Sequence, residues 1–261
     1  MKTKSLGIIG GGRITRLLLH ALKQKDMLPG NVVVADPNDD MKKQLQSVDA
    51  TAIKCLSKNT DVLKVDILFL AVHPPVMKDV AAEISGKIDK NTLVVSLIPV
   101  LPMEKLSVML GVTKLARMIP NAPSIIHQGY NPVAYSSAIT AEDKQALQKL
   151  FSNWGEAPEV DEKKLEAYAI VTAMGPTYFW PQWVKLQALG KQFGMSDDEL
   201  NKGMAAMLSG SIELLYHSNL SPEQVMDLIP VYPLKEKESE ILGFFENSLA
   251  ALFQKLTGVA K

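Results

Sequence analysis

Three consecutive glycines near the start of the chain separate a short apolar segment from a helical pattern. In such a loop an early glycine makes a tight turn, and a later one lets a pyrophosphate approach the backbone at the positive end of a helix. We therefore predict a dinucleotide-binding loop in which Thr15 replaces the usual third glycine; a tight turn without a ligand is the alternative. The predicted binding residues are Gly10, Gly11, Gly12, Arg13 and Ile14.

An aspartate, Asp36, ends the second apolar run of the chain. A carboxylate at this point can accept hydrogen bonds from the adenosine ribose hydroxyls, and it repels a 2′-phosphate. The guanidinium of Arg13 has the opposite preference, because it can pair with that phosphate. The predicted cofactor is therefore NAD(P)H, with a slight preference for NADH.

Short β-branched runs alternate with helical periodicity over the first part of the chain. Such runs, apolar on both sides, are typical of parallel strands covered by helices on both faces. The pattern predicts a Rossmann-type, doubly wound parallel sheet in residues 1–160. The predicted strands are residues 6–9, 32–35, 67–72, 93–97, 115–118 and 131–135, and the predicted helices are 13–24, 39–46, 75–84 and 140–154.

Strand signals nearly vanish after residue 160, so residues 161–261 are predicted to form an all-helical domain with helices at 162–173, 177–193, 196–217 and 237–256. Several of these helices are apolar over much of their circumference, as in residues 204–215. So much apolar surface on a small helical domain favours burial against a partner subunit. We predict a homodimer formed through the C-terminal helices.

The charge balance and the lengths of the apolar stretches argue against nucleic-acid and membrane partners. Lys plus Arg and Asp plus Glu both number 28 in 261 residues, so no global charge attracts nucleic acid or an anionic membrane. The longest apolar stretch, residues 67–72, is far too short to span a bilayer, and the single cysteine, Cys55, suits a reducing compartment. We therefore expect a cytoplasmic protein that acts on a small molecule, without nucleic-acid or membrane partners. The isolated histidines give no metal-ligand spacing, so no metal site is predicted.

Three further segments carry a resemblance to a known family. Gly7 to Thr15 (GIIGGGRIT), residues 69–74 (FLAVHP) and residues 117–123 (RMIPNAP) resemble the segments GFIGxGxMA, FLAVKP and RVMPNTP of pyrroline-5-carboxylate reductase. In the second half, residues 165–178 align without a gap to a stretch that ends in SGSGPAY. There Thr172 and Met174 replace the two serines, while Gly175, Pro176 and Tyr178 are retained.

The resemblance implies an oxidoreductase of proline biosynthesis that transfers a hydride to a cyclic C=N bond. It implies a helical dimerisation domain after the dinucleotide-binding one, and a site where the nicotinamide meets helices of the second domain. Further cofactor residues would be Ala71, Val72, His73, Pro74 and Asn121. Substrate residues would be Thr172, Met174, Gly175, Pro176 and Thr177. No catalytic proton donor can be named from the sequence.

The chain departs from this family late in the sequence. Where the family has an SPGGTT-like substrate loop, residues 229–235 read IPVYPLK, and prolines remove amide donors. His73 and Met174 are further departures. Two alternatives therefore stay open: a reductase or dehydrogenase for another small oxo or imino compound, and a catalytically inactive dinucleotide-binding protein. Lys235 is a candidate for pairing with a substrate carboxylate.

Overall fold

The computed structural model describes residues 4–258, and nine strands form within them. They are β1 (Leu6–Ile9), β2 (Val32–Ala35), β3 (Ile53–Leu56), β4 (Ile67–Leu70), β5 (Leu93–Ser96), β6 (Leu115–Met118), β7 (Gly129–Tyr130), β8 (Val133–Tyr135) and β9 (Gly155–Glu156). Seven of them make one sheet in the order β3-β2-β1-β4-β5-β6-β8. All neighbours in it are parallel except β6 and β8. The chain starts at the centre and winds to each edge in turn, which confirms the predicted Rossmann-type fold.

The described part of the chain also contains ten α-helices. They are α1 (Arg13–Gln24), α2 (Asp39–Gln46), α3 (Met77–Ile84), α4 (Met103–Leu110), α5 (Ala141–Phe151), α6 (Leu165–Tyr168), α7 (Gly175–Gln192), α8 (Asp197–His217), α9 (Pro222–Asp227) and α10 (Glu238–Thr257). A π-helical turn, Ala169–Ala173, joins α6 to α7. Helix α5 begins with a capping box, in which Thr140 and Asp143 exchange hydrogen bonds between side chain and backbone.

Five of the ten predicted elements of the sheet domain have their predicted bounds, and the other five are shorter than predicted by one to four residues. Strand β4 ends at Leu70 rather than at residue 72, because the chain turns into the 3₁₀ turn Pro74–Val76, where proline cannot donate to the ladder. Strand β3 was not predicted, since Lys54 interrupts its apolar pattern and only Ile53 is buried. Helix α4 was not predicted either; it is eight residues long and ends at Gly111 in the left-handed conformation.

Two apolar clusters cover the two faces of the sheet. One gathers Ile8 and Phe69 with Leu22 of α1 and with the aromatic pair Phe151 and Trp154. The indole N–H of Trp154 donates to the carbonyl oxygen of Leu18 at 3.0 Å, which fastens the end of α5 to α1. The second cluster packs the opposite faces of β4 and β5 against α3 and α4. Burial on both faces explains the continuous apolar runs of the strands.

By its internal contacts the chain divides into two compact units. One extends to Met174 and includes the residues from Phe253 onward, and the other is Gly175–Leu252. Residues 161–174 therefore belong to the sheet unit, where Leu165 and Ala169 pack on Ile119 and Ala134. The domain boundary that we expect after residue 160 rests on the loss of strand signals, and it stays a prediction.

Every secondary-structure element of the unit Gly175–Leu252 is helical, and few of its residues are buried within the unit itself. Of its residues, all of which the structure describes, only Gly175, Gly190 and Leu200 are buried. Large apolar side chains are exposed on three helices: Val184 on α7, Ile212 on α8 and Phe244 on α10. Within residues 4–258, no helix has both the length and the apolar character that crossing a membrane requires.

Candidate functional site

The glycine loop joins β1 to α1, and each of its first two glycines is required for a different reason. Gly10 has φ of +102°, and a Cβ atom there would lie 2.4 Å from the carbonyl oxygen of Ala71. A Cβ atom on Gly11 would lie 2.7 Å from the Leu45 side chain. The loop is therefore held tightly between β4 and α2, and glycine is needed for space as well as for conformation.

Gly12 differs, because no described atom lies within 4 Å of a Cβ atom built on it. It is the N-cap residue of α1, and no side chain of the described residues caps that helix. By contrast, the side chain of Asn38 caps α2. Helix α1 thus offers backbone N–H groups and its positive end to open space, which suits a pyrophosphate.

Asp36 lies beside this loop, at the end of β2. Its Oδ2 accepts a hydrogen bond of 2.7 Å from the N–H of Gly11, and its Oδ1 accepts one of 2.8 Å from the N–H of Asn38. Both carboxylate oxygens are therefore fixed by the backbone, and the side chain remains partly exposed. A carboxylate held in this way keeps lone pairs for ribose hydroxyls.

Thr15, which replaces the third glycine of the pattern, is buried in the first turn of α1. Its hydroxyl donates to the carbonyl oxygen of Gly10 at 2.6 Å. The Thr15 side chain thus holds the glycine loop through a hydrogen bond. The third glycine of the usual pattern instead allows the helix to pack closely on the strand.

A cleft of about 340 Å³ opens beside the uncapped end of α1. It brings together seven of the predicted cofactor residues, namely Gly12, Arg13, Ile14, Ala71, Val72, His73 and Pro74, and it adds Leu97 and Pro99. These residues follow β1, β4 and β5, so the cleft lies at the carboxyl ends of neighbouring parallel strands, where ligands of such sheets bind. Leu97 and Pro99 were missed, although their position directly after an apolar strand was a usable signal.

The predicted cofactor residue Asn121 lies outside the lining of this cleft. Its Oδ1 accepts from the N–H of Tyr130 at 3.1 Å, and its Nδ2 donates to the carbonyl oxygen of Thr172 at 3.5 Å. Asn121 thus connects the end of β6 to the π-helical turn. Burial, and next the adjacent Tyr168, raise the pKa of Tyr130, whose ring lies 6.2 Å from that of Tyr168.

The predicted substrate residues occupy the passage from the π-helical turn into α7. Thr172 donates its hydroxyl to the carbonyl oxygen of Tyr168 at 2.8 Å, and the N–H of Met174 donates to Ala169 five residues earlier. Gly175 begins α7, with Pro176 and Thr177 in its first turn. A π-helical turn of this kind is frequent at functional sites.

A buried ion-pair cluster connects the sheet to the segment before this turn. Arg117 on β6 is 2% exposed and pairs with Glu162 at 2.8 Å and with Glu166 at 2.7 Å. Glu166 also accepts a hydrogen bond from the N–H of Val100 in the loop after β5, and Glu162 accepts one from the N–H of Met103, the first residue of α4. None of these three residues was predicted to belong to a site.

Residues 229–235, which depart from the family, are all exposed and connect α9 to the 3₁₀ turn Lys235–Lys237. The Lys235 ammonium pairs with Glu238 at 2.9 Å and lies 5.7 Å from the ring centre of Tyr232. Among residues 4–258, no group of three or more His, Cys, Asp or Glu side chains is arranged to hold a metal ion.

Comparisons with known proteins agree with this geometry. A family model described as NADP oxidoreductase coenzyme F420-dependent matches residues 5–99, which contain the glycine loop and β1 to β5. The chain is 27% identical over 229 residues to pyrroline-5-carboxylate reductase of Escherichia coli (strain K12), covering 87% of this chain and 84% of that one. It is 24% identical over 225 residues to the Pisum sativum enzyme of the same name, covering 85% and 81%.

Solved structures show the same fold. The crystal structure of Plasmodium falciparum pyrroline carboxylate reductase with NADP bound superposes with a TM-score of 0.83 at 22% identity, covering 99% of this chain and 98% of that one. The enzyme from Streptococcus pyogenes gives 0.81 at 18% identity, covering 99% and 100%. In fold, glycine loop and aligned motifs, the chain is thus similar to pyrroline-5-carboxylate reductases.

Proposed function

We propose that this protein is an NAD(P)H-dependent reductase of a C=N bond in a small cyclic imino acid, pyrroline-5-carboxylate or a relative. The observation that carries this proposal is the cleft at the uncapped end of α1, in a chain that aligns with pyrroline-5-carboxylate reductase over 87% of its length. The bound dinucleotide supplies the hydride, and the protein binds and orients the two reactants.

The residues of the cleft fit a dinucleotide. The N–H groups at the start of α1, reached past Gly12, would hold the pyrophosphate, and the Asp36 carboxylate would accept from the ribose hydroxyls. Ala71, Val72, His73 and Pro74 would contact the rest of the cofactor along the cleft wall. The backbone N–H groups in the first turn of α7, to which Pro176 itself contributes none, would suit the substrate carboxylate.

Cofactor preference is argued from the two charges beside the cleft. The fixed carboxylate of Asp36 repels a 2′-phosphate and favours NADH. Arg13 is exposed on the cleft lining and can pair with that phosphate, and the related Plasmodium falciparum structure contains NADP. We therefore propose that both cofactors bind, with NADH slightly preferred.

A homodimer is proposed from the exposed apolar side chains of the unit Gly175–Leu252. A unit of this size normally buries more than half of its surface, yet only three of its residues are buried. Val184 is 66% exposed and Phe244 is 65% exposed. Apolar area of this extent is typical of an obligate interface, and a second copy of the chain is the proposed occupant. We also propose a cytoplasmic location, which the free thiol of Cys55 fits.

Oxidation of NADH and NADPH by the purified protein, with pyrroline-5-carboxylate as substrate, tests the proposed activity. Gly12→Asp is the control, because its carboxylate would occupy the proposed pyrophosphate site. No described atom lies within 4 Å of a Cβ atom at this position. Turnover that disappears in this variant supports the proposal. Intact cofactor binding without turnover would contradict pyrroline-5-carboxylate as substrate.

The segment 229–235 favours a second candidate, a reductase for another small imino or oxo compound. Pro230 and Pro233 have no N–H to offer, and Met174 replaces a hydroxyl residue of the family, so the substrate carboxylate would be held differently. A panel of cyclic imines and small oxo acids assayed with both cofactors distinguishes this candidate. Cofactor binding with no turnover on any of them would instead indicate a non-catalytic dinucleotide-binding protein.

A further inference from the structure

The loop between β5 and α4, residues 97–102, forms one wall of the candidate cofactor cleft through Leu97 and Pro99. The next residue, Val100, has φ of 65°. This is the left-handed region, which a β-branched residue rarely occupies. Such a conformation persists only where the surrounding structure imposes it, and it is concentrated at binding and catalytic sites.

The buried ion-pair cluster imposes it. The N–H of Val100 donates to Oε1 of Glu166 at 3.1 Å, and the Arg117 guanidinium donates to the same oxygen at 2.7 Å. Arg117 is in turn held by Glu162 at 2.8 Å. The Glu166 side chain is 11% exposed, and its Oε1 accepts hydrogen bonds both from a buried cation and from the backbone of the strained loop.

We propose that Glu166 is a positioning residue for the cofactor: by holding Val100 in the left-handed conformation it fixes Pro99 in the wall of the cleft. This inference rests on the proposed dinucleotide binding. Glu166 lies on α6, and the chain continues from it through the π-helical turn to Thr172 and Met174. One carboxylate therefore ties the cleft wall to the segment that carries two of the candidate substrate residues.

Glu162 provides a matched control within the same cluster. It makes the same kind of contacts, an ion pair with Arg117 and an accepted hydrogen bond of 2.7 Å from the N–H of Met103. Met103, however, is the first residue of α4 and does not line the cleft. A purely structural role would make the loss of either glutamate equivalent for cofactor binding.

The test measures dissociation constants of NADH and NADPH by fluorescence titration in Glu166→Ala, Glu162→Ala, Val100→Gly and the double variant Glu166→Ala/Val100→Gly. Glu166→Ala is expected to weaken binding by about tenfold, because the released loop keeps its binding conformation in only a minority of molecules. In the double variant, affinity is expected to return to within about threefold of Val100→Gly alone, since glycine adopts positive φ without a steric penalty. Glu162→Ala is expected to change affinity by less than about threefold, because its loop partner lies outside the cleft.

Melting temperatures separate positioning from stability. Both glutamate variants and the double variant should have lower melting temperatures than the wild type, because each leaves Arg117 with one of its two carboxylate partners. Affinity that returns while the melting temperature stays low supports the inference; affinity that follows the melting temperature, or no rescue by glycine, overturns it. If Glu166→Ala does not fold, amide exchange at Val100 in Glu166→Gln decides: faster exchange without global unfolding supports the inference, and unchanged exchange overturns it.

The outcome also separates this inference from the proposed function. A wild-type protein that binds NADH or NADPH but reduces no imine would remove the proposed activity and leave the Glu166 test intact. A wild-type protein that binds neither dinucleotide would overturn both.

Discussion

The carboxylate of Asp36 accepts a hydrogen bond of 2.7 Å from the backbone N–H of Gly11, so the acid at the end of β2 and the glycine loop are held as one rigid group. The carboxylate therefore serves two purposes, since it orders the loop and carries the negative charge that a 2′-phosphate would meet. Substitutions that keep the hydrogen bond and remove the charge can separate them.

Asp36→Asn removes the charge while its amide oxygen can still accept from Gly11; the hydrogen bond from Asn38 is lost, because the amide nitrogen only donates. We expect affinity for NADPH relative to NADH to rise by about tenfold, equivalent to about 1.4 kcal/mol. Dissociation constants for both cofactors measure it, with Asp40→Asn as a control, since Asp40 is an exposed acid on α2. An unchanged ratio would show that Asp36 does not select the cofactor.

Gly10 and Gly12 form a matched pair in which the same substitution has opposite consequences. Gly10→Ala places a methyl group 2.4 Å from the Ala71 carbonyl oxygen at φ of +102°, so we expect it to lower the free energy of unfolding by about 2–4 kcal/mol. Gly12→Ala enters open space and should change stability by less than about 0.5 kcal/mol while weakening cofactor binding. Urea denaturation and cofactor titration of both variants test this. Loss of stability in Gly12→Ala would contradict it.

Trp154→Phe should destabilise the sheet unit. It removes the hydrogen bond to the carbonyl oxygen of Leu18 and leaves space beside Phe69, whose ring centre lies 6.0 Å from that of the indole. We expect a loss of about 1–3 kcal/mol in the free energy of unfolding. Denaturation followed by far-UV circular dichroism measures it without depending on tryptophan fluorescence. A variant as stable as the wild type would mean that the indole N–H contributes nothing.

Asp49 gives the protein a pH-dependent contribution to stability. The Lys23 ammonium, followed by the Thr51 hydroxyl and the N–H groups of Ala52 and Thr51, holds the pKa of Asp49 well below its ordinary value of 3.8. A lowered pKa in the folded state stabilises the protein above the unfolded-state pKa, and this stabilisation is lost as the pH falls towards the folded-state pKa.

Asp49→Asn should therefore be less stable than the wild type at neutral pH, and the difference should shrink as the pH falls below about 4. Melting temperatures across an acid series measure this. Lys23→Met should reproduce part of the effect, because Lys23 is the largest contributor to the shift. A difference independent of pH would show that ionisation of Asp49 does not contribute to stability.

The proposed dimer predicts that a charge on the exposed apolar surface of α7 prevents association. Val184→Asp should shift the protein from dimer to monomer in sedimentation and light-scattering measurements, because burying an unpaired carboxylate is strongly unfavourable. Val108→Asp is the matched control, since Val108 is 82% exposed on α4 of the other unit and should leave the mass unchanged. A wild-type protein that sediments as a monomer at all concentrations would contradict the dimer.

Much of the cleft could be predicted because its signals are local. The glycine loop, the end of β2 and the residues after β4 are each recognisable from their neighbours in sequence, and the structure brings seven of these predicted residues to one cleft. The Arg117 cluster could not be found in this way. Glu166 lies 49 residues after Arg117, and Glu162 and Glu166 have the spacing of any solvated helix face.

The packing partners of residues 161–174 were difficult to predict for a related reason. Strand periodicity ends near residue 160, yet Leu165 and Ala169 pack on the sheet domain through contacts with Ile119 and Ala134. The period of a hydrophobic pattern shows which secondary-structure element forms, but it does not show what that element packs against. Val100 is likewise in the left-handed conformation, and its N–H donates to a carboxylate that lies 66 residues away in the sequence.

The scarcity of buried residues in Gly175–Leu252 bears on how the chain reaches its native state. Under the proposed dimer, the helices of this unit obtain their core only when two chains meet, so its ordering is a second-order process whose half-time depends on how much protein is present. The sheet unit has its own core and can order first. At low protein concentration, a newly made chain would thus have a folded sheet unit and a helical unit with exposed apolar surface. Its dimerisation would then compete with proteolysis and aggregation.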